Sequence, residues 1–280
     1  MKTIYYSLLA FLLFTLFTFG CSIKENPNYT ILIQSSDKNI PSVSLTQAAE
    51  IVSKRLKDFS AKKFDISVLQ EKNQIRVILT DEWDYPAVEN LIVHKGTIEF
   101  WETFNYNGLV ELLNGDDHLF TLLTKSEITN ENAKIGCTTA SEAGTVTKYL
   151  NTLGLSQKCH FAWTQDFDKN NVCLYALKKG SESGPIITGN DIESAKYNKD
   201  RIQIKLKNNA VDLFADATKR NLNNAIALVL DDNVISAPKV MSPIESGEIE
   251  ISGKFTQTQV SYIASLLNNG VLPVGFTIVK

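Results

Sequence analysis

The order of periodic segments over residues 29–104 constrains the fold more than any other feature of this sequence. Alternating apolar residues predict β-strands, and apolar residues at helical spacing predict amphipathic helices. The segments are a strand at 29–34 (YTILIQ), a helix at 44–59 (SLTQAAEIVSKRLKDF), strands at 64–70 (FDISVLQ) and 74–80 (QIRVILT), a helix at 83–93 and a strand at 97–104 (TIEFWETF). A strand, helix, strand, strand, helix, strand sequence is therefore predicted.

This order of elements is that of a ferredoxin-like α+β sandwich. The first helix places Ala48, Val52, Leu56 and Phe59 on one face, which is expected to pack on the sheet. The basic residues Lys54, Arg55 and Lys57 fall mainly outside that face and are expected to be solvated. The fold class is therefore predicted to be α+β.

The first 21 residues read as a targeting segment. An uncharged apolar run, Ile4–Phe19, follows Lys2 and ends at Gly20-Cys21. This pattern is similar to a bacterial lipoprotein signal, in which Cys21 receives the lipid; an uncleaved anchor helix is the alternative. Residues 22–28 are then a tether. We expect the remainder to lie in the cell envelope, lipid-anchored to a membrane and facing the periplasm or exterior.

The four cysteines allow one disulfide in an oxidising compartment. With Cys21 lipidated, Cys137, Cys159 and Cys173 remain, so either one bridge and one free thiol or no bridge is expected. Cys159 and Cys173 flank a predicted hairpin and are the first choice for a bridge; buried reduced thiols are the alternative. The sequence contains no CxxC and no HExxH motif, and we predict neither a metal site nor a cofactor.

The last hundred residues carry sharper signals than the middle of the chain. The stretch ALVLDDNVISAP, Ala227–Pro238, has apolar strands on both sides of Asp231-Asp232-Asn233. Asp and Asn tolerate positive φ, so a tight turn is favoured. Farther along, a helix is predicted after Phe255, with a capping box at Thr256 and Gln259.

An active site at this turn is disfavoured. Catalytic carboxylates must converge on a pocket, whereas neighbours at a hairpin tip are expected to point apart and stay solvated. Ser236 would need a positioned base, and no histidine lies within seventy residues of it. The formal net charge is −3, without a basic excess that would favour nucleic-acid binding. We therefore do not expect an enzyme, and a hydrolase is disfavoured most clearly.

Several ordered motifs resemble the first periplasmic domain of SecD, a subunit of the SecDF protein-export complex. The C-terminal motifs are GPIITGNDIESA, LVLDDNVISAP, ISGKFT and LLNNGVLPVGFTIV, and the N-terminal ones are TQAAEIVSKRL, IRVILT and VENLIVHKGTIEFWE. The resemblance implies a ferredoxin-like base at 29–105 and 271–280. It also implies an inserted α+β head at 106–270, with a variable region at 106–183 and hinges near Asn105 and Gly270.

The resemblance further implies that the head contacts emerging polypeptide or Sec translocon components. SecD continues into membrane helices that couple protons, whereas this sequence stops at Lys280, so we expect binding without proton-driven motor activity. A structural or adaptor lipoprotein that docks to another envelope protein is the alternative. The candidate partner-binding residues are Asp231, Asp232, Asn233, Ser236, Pro238, Gly253 and Phe255. Each could instead serve only the fold, as a turn, strand stop, bend or core residue.

Overall fold

A computed structural model describes residues 28–124, 133–164, 171–179, 184–253 and 255–279. The predicted signal peptide, the lipidation site Cys21 and residues 22–27 of the predicted tether lie outside these ranges. The helices are α1 (Ser42–Phe59), α2 (Tyr85–Val93), α3 (Tyr106–Leu112), α4 (His118–Thr121), α5 (Ala143–Thr152), α6 (Asn208–Arg220) and α7 (Gln257–Asn269). Within these ranges, no helix combines the length and the apolar character that crossing a membrane requires.

The strands are β1 (Tyr29–Ser35), β2 (Phe64–Leu69), β3 (Gln74–Leu79), β4 (Ile98–Glu102), β5 (Lys134–Thr139), β6 (Cys159–Thr164), β7 (Asn171–Lys178), β8 (Ile187–Thr188), β9 (Ile192–Asn198), β10 (Arg201–Leu206), β11 (Ile226–Leu230), β12 (Asn233–Ser236), β13 (Glu248–Ser252) and β14 (Phe276–Val279). They form sheets of four, three and seven strands. The predicted α+β class is confirmed.

The four-stranded sheet is the base, with antiparallel strands in the order β14-β1-β3-β2. The predicted apolar face of α1 packs in the core with Ile31 and Ile33 of β1 and Val77 of β3. This order is that of a ferredoxin-like sheet, but its last strand is the C-terminal β14. Because β1 pairs with β14 on one edge and β3 on the other, the two ends of the described chain meet in this sheet.

The strand at 97–104, which the sequence order assigned to the base, lies in another sheet. The seven-stranded sheet has the order β5-β7-β6-β12-β11-β4-β8, and β4 pairs antiparallel with β11. Its assignment to the base was therefore wrong. The reason is that local alternation predicts a strand but not the strand it pairs with, and here the partner β11 lies more than 120 residues away in the chain.

A three-stranded sheet, β13-β10-β9, completes the head. One hydrophobic core connects the base helices with this sheet and with part of the seven-stranded sheet, through residues such as Leu56, Phe100, Ile204 and Ile263. The helix α7 packs against both α1 of the base and β9 of the head. Base and head are therefore joined by shared apolar packing as well as by the chain.

Most of the region between β4 and β8 has a separate core. Leu109 of α3, Leu119 of α4, Ile135 of β5 and Leu150 of α5 belong to a distinct cluster that includes residues of β6 and β7. We refer to residues 106–179 as the insert. It corresponds to most of the region that the sequence marked as variable.

The structure corrects the predicted cysteine pairing. Cys137 of β5 is bonded to Cys173 of β7, whereas Cys159 is a buried free thiol. The register explains the difference, because Cys137 lies directly opposite Cys173, while Cys159 lies opposite Lys178. The predicted Cys159–Cys173 bridge is wrong, although one bridge with one free thiol was among the expected arrangements.

Candidate functional site

The predicted hairpin turn is present between β11 and β12. Asp231 and Asp232 have φ values of 46° and 66°, the left-handed conformation that Asp tolerates better than most residues. The Asn233 side-chain amide donates to the Asp231 carbonyl at 2.9 Å. The interpretation of this stretch as a tight turn is confirmed.

The two adjacent carboxylates have different environments. Asp231 turns inward, where its carboxylate accepts hydrogen bonds from the backbone N–H groups of Gly96 at 3.0 Å and Thr97 at 2.7 Å. Asp232 points outward with 86% of its side chain exposed, 3.7 Å from the Nε2 atom of His160. The prediction that both stay solvated was therefore wrong for Asp231.

Arg55 is completely buried, although the sequence placed it among solvated residues. Its guanidinium donates to the carbonyls of Leu91, His94, Lys95 and Gly270, over 2.6 to 3.1 Å. Burial lowers the pKa of Arg55 to about 10, and the nearby charge of Asp231 opposes that shift. Arg55 is therefore still a cation at neutral pH, with its charge compensated by carbonyl dipoles and one carboxylate.

These contacts gather at the place where the chain passes between base and head. The chain leaves the base through His94–Thr97 and returns after Gly270, and the Leu272 N–H donates to the Lys95 carbonyl at 2.8 Å. We refer to Arg55, Asp231 and the backbone they bind as the junction. The outgoing crossing lies upstream of Asn105, where the resemblance implied a hinge.

Gly96 shows how closely the junction is packed. It has a φ of +84°, and a Cβ atom there would overlap an Arg55 guanidinium nitrogen. Beside it, the Tyr262 hydroxyl and the His94 Nδ1 atom are joined by a hydrogen bond of 2.6 Å. Burial lowers the pKa of His94, with Asp231 opposing and Arg55 reinforcing that shift. The hydrogen bonds and close packing here fix the backbone.

The other candidate residues do not converge on one site. Ser236 ends β12 of the seven-stranded sheet, and Pro238 lies two residues after that strand. Gly253 lies directly after β13 of the three-stranded sheet. Phe255 packs on the hydrophobic core that base and head share, and its ring would lie 3.0 Å from a Cβ atom at Gly253. Within the described ranges, no cluster of three or more His, Cys, Asp or Glu residues could hold a metal ion.

Pro238 instead borders an apolar cleft of about 220 Å³ between the seven-stranded sheet, α6 and β13. One of its lining residues, Met241, is 78% exposed, so the cleft presents a large apolar side chain to solvent. The lining residues are mainly apolar: Phe100, Phe214, Ile226, Leu228, Pro238, Val240, Met241, Ile244, Ile249 and Ile251, with Thr218, Lys239, Ser242 and Glu250. The sequence indicated Pro238 but gave no sign of the cleft.

Strand β13, on one side of this cleft, is an edge strand. It pairs with β10 alone among the described strands. The Leu206 N–H donates to the Gly247 carbonyl, so the backbone groups of Gly247 face β10. Because this direction alternates along an antiparallel strand, the backbone N–H and C=O groups of Ile249 and Ile251 also face β10. The backbone groups of Glu248, Glu250 and Ser252 therefore face away from β10. In the described part of the chain, the N–H groups of Glu250 and Ser252 have no hydrogen-bond partner.

Comparison with known proteins relates the head to SecDF. Residues 164–274 match the family model of the SecDF P1 head subdomain. Protein translocase subunit SecD of Acidaminococcus fermentans is 32% identical over 107 residues, 36% of this chain and 26% of the relative. SecD of Desulfurispirillum indicum is 37% identical over 101 residues, 34% and 20% of the two chains. SecDF of Brucella abortus is 34% identical over 112 residues, 38% and 14%.

The chain thus spans about a quarter or less of the length of these relatives. Two solved structures share the fold at 17% sequence identity. SecDF in its super-membrane-facing form has a TM-score of 0.54, covering 90% of this chain and 29% of that chain. A chain of the membrane component SecDF that enhances protein export has a TM-score of 0.52, covering 90% and 98%. Residues 164–274 are therefore similar in sequence to the SecDF P1 head subdomain, and the described residues share the fold of the matching parts of the two SecDF structures.

Proposed function

We propose that this chain is a membrane-tethered, SecD-like periplasmic domain that binds extended polypeptide during protein export. It acts as a receptor, without catalysis and without proton-driven motor activity. The similarity of residues 164–274 to the SecDF P1 head subdomain supports a role in export, as do relatives named protein translocase subunits.

The observation that carries the proposal is an apolar cleft beside an edge strand. Met241 is largely exposed within the cleft lining, and the cleft continues to Ile249 and Ile251 of β13. An unfolded, extended polypeptide presents apolar side chains and unpaired backbone groups together. A surface that combines apolar contacts with free backbone donors and acceptors matches both features.

The base and the junction support the cleft. Phe100, which lines the cleft, belongs to the same core as Leu56 and Leu91 of the base helices. Asp231 binds the backbone where the chain leaves the base, and Arg55 binds the backbone where the chain returns to it. The base thus holds the head in a defined orientation, while a lipid on Cys21 would hold the whole domain near the membrane.

Site-specific photocrosslinking in exporting cells tests this function. A photoreactive residue at Met241 is expected to crosslink to several secretory precursors, and only while export is active. The matched control is Leu213 of α6, which is 57% exposed but does not line the cleft. Equal crosslinking at both positions, or no precursor at Met241, would contradict the proposal.

The same experiment separates the second candidate function, an adaptor that docks to one envelope protein. The insert favours this alternative, because most of it precedes the matched residues 164–274 and it has its own core. An adaptor would crosslink from the insert, for example at exposed Asn151, to one partner whether or not export is active.

A further inference from the structure

We propose that β13 accepts a strand of the bound polypeptide at its free edge and selects segments in which apolar and basic residues alternate. The inference rests on the proposed function and specifies its ligand. Unpaired N–H and C=O groups along a strand are satisfied together only by another extended chain. The occupant is therefore an extended segment of a partner polypeptide.

The backbone alternation of β13 defines where this segment would bind. Glu248, Glu250 and Ser252 direct their backbone groups outward, as the Leu206–Gly247 hydrogen bond requires. Glu250 and Ser252 offer two unpaired N–H donors among the described residues. An added strand would bond to these positions and leave the ladder with β10 unchanged.

The inner face of such a strand would meet the apolar cleft. Ile249 and Ile251 point their side chains into the core, because they are 6% and 1% exposed. Residues of the added strand opposite them would point to the same side. There they would meet the lining around Val240 and Met241. Apolar residues are therefore favoured at every second position.

The outer face would favour basic residues at the remaining positions. Glu248 and Glu250 are exposed on the side of the sheet opposite the two isoleucines. The carboxylate of Glu250 is 2.7 Å from the guanidinium of Arg201, and Glu248 has no ion pair in the described part of the chain. Lysine or arginine directly across from these glutamates would gain favourable cross-strand pairing, whereas acidic residues would be repelled.

Peptide binding measured by fluorescence anisotropy tests the selection. A labelled peptide of alternating valine and lysine is expected to bind the purified protein about tenfold more tightly than its valine–glutamate counterpart. A peptide of the same valine–lysine composition but blocked order controls for net charge and should bind weakly. Replacing Glu248 by Lys should reduce the preference for lysine. Equal affinities for the alternating and the blocked peptide would overturn the inference.

A second variant pair tests backbone pairing. Glu250→Pro removes an N–H that faces away from β10, so the existing ladder keeps its bonds. Glu250→Pro is expected to bind the valine–lysine peptide about fivefold more weakly than Glu250→Ala does. The alanine variant loses the same carboxylate but keeps the backbone N–H. Circular dichroism verifies that both variants fold. Equal affinities for the two variants would overturn edge pairing, whereas persistent crosslinking of precursors at Met241 would leave the proposed function standing.

Discussion

Asp231 and Asp232 are adjacent in the chain but have different structural roles. Asp231 binds the backbone of Gly96 and Thr97, so it connects the hairpin of the head to the outgoing crossing. Asp232 is solvent-exposed and takes the second left-handed position of the turn. The burial of Arg55 gives the inward carboxylate an additional role, because it lies close enough to affect the pKa of that cation.

We expect Asp231→Asn to lower the free energy of unfolding by about 1–3 kcal/mol, since one oxygen acceptor is replaced by an amide donor that faces backbone N–H groups. Asparagine tolerates the positive φ, so the turn itself is retained. The control Asp232→Asn should change stability by less than about 0.5 kcal/mol. Urea titrations would measure both; equal effects would show that the junction does not depend on Asp231.

His94 should make stability depend on pH. Its folded-state pKa lies below the ordinary 6.5 because the imidazole is buried. Below pH 6.5 the unfolded chain therefore binds more protons than the folded protein, so stability falls as the pH drops towards the folded pKa and is retained above 6.5. His94→Gln should flatten this part of the profile. An unchanged profile in that variant would contradict the assignment.

The turn at Asp231 could be predicted from sequence because its signal is local. Two acidic residues and Asn233 between apolar strands suffice to indicate it. The inward direction of Asp231 could not be predicted, since its partner Thr97 lies 134 residues away. Arg55 has the same difficulty, because its Gly270 partner lies 215 residues away and helical periodicity alone places the arginine outside.

At the scale of elements, the disulfide ties β5 to β7 in the insert. We expect replacement of both Cys137 and Cys173 by serine to destabilise the insert by about 2–4 kcal/mol, because the bridge closes a segment with a sequence separation of 36. Thermal unfolding followed by near-ultraviolet circular dichroism would measure this. Cys159→Ala provides the comparison, because it removes the free thiol without burying a hydroxyl; an equal loss in that variant would argue against a special role for the bridge.

Cys159 itself should be unreactive in the folded protein. It is buried, and burial raises the pKa of its thiol to about 12, so the reactive thiolate is scarce at neutral pH. Mass spectrometry after iodoacetamide treatment should find no label at Cys159 until denaturant is added. Rapid labelling in native buffer would contradict the buried position.

Elements with local signals were predicted well. The capping box of Thr256 and Gln259 begins α7 as expected. The sheet to which a strand belongs was harder to predict from the sequence, as β4 shows, because strand pairing depends on packing across the whole core. The free edge of β13 could not be predicted either, because the sequence EIEIS indicates a half-buried strand but not how many strands pair with it.

The whole molecule combines a predicted tether with a base and a head that share one core. If Cys21 carries the lipid, Cys21→Ala should move the protein from the membrane fraction to the soluble fraction after cell lysis. Mass spectrometry of the mature N-terminus would detect the lipid directly. A variant that stays in the membrane fraction would favour the uncleaved anchor helix, the alternative that the apolar run Ile4–Phe19 leaves open.

Hydrogen exchange at the edge of β13 tests the central claim most directly. Nuclear magnetic resonance can follow the individual amides of Glu250 and Ser252, which face away from β10. On addition of the valine–lysine peptide, both amides should exchange at least about tenfold more slowly. The amides of Ile249 and Ile251, already paired with β10, should change less. Binding without protection of Glu250 and Ser252 would show that the polypeptide does not pair with this strand.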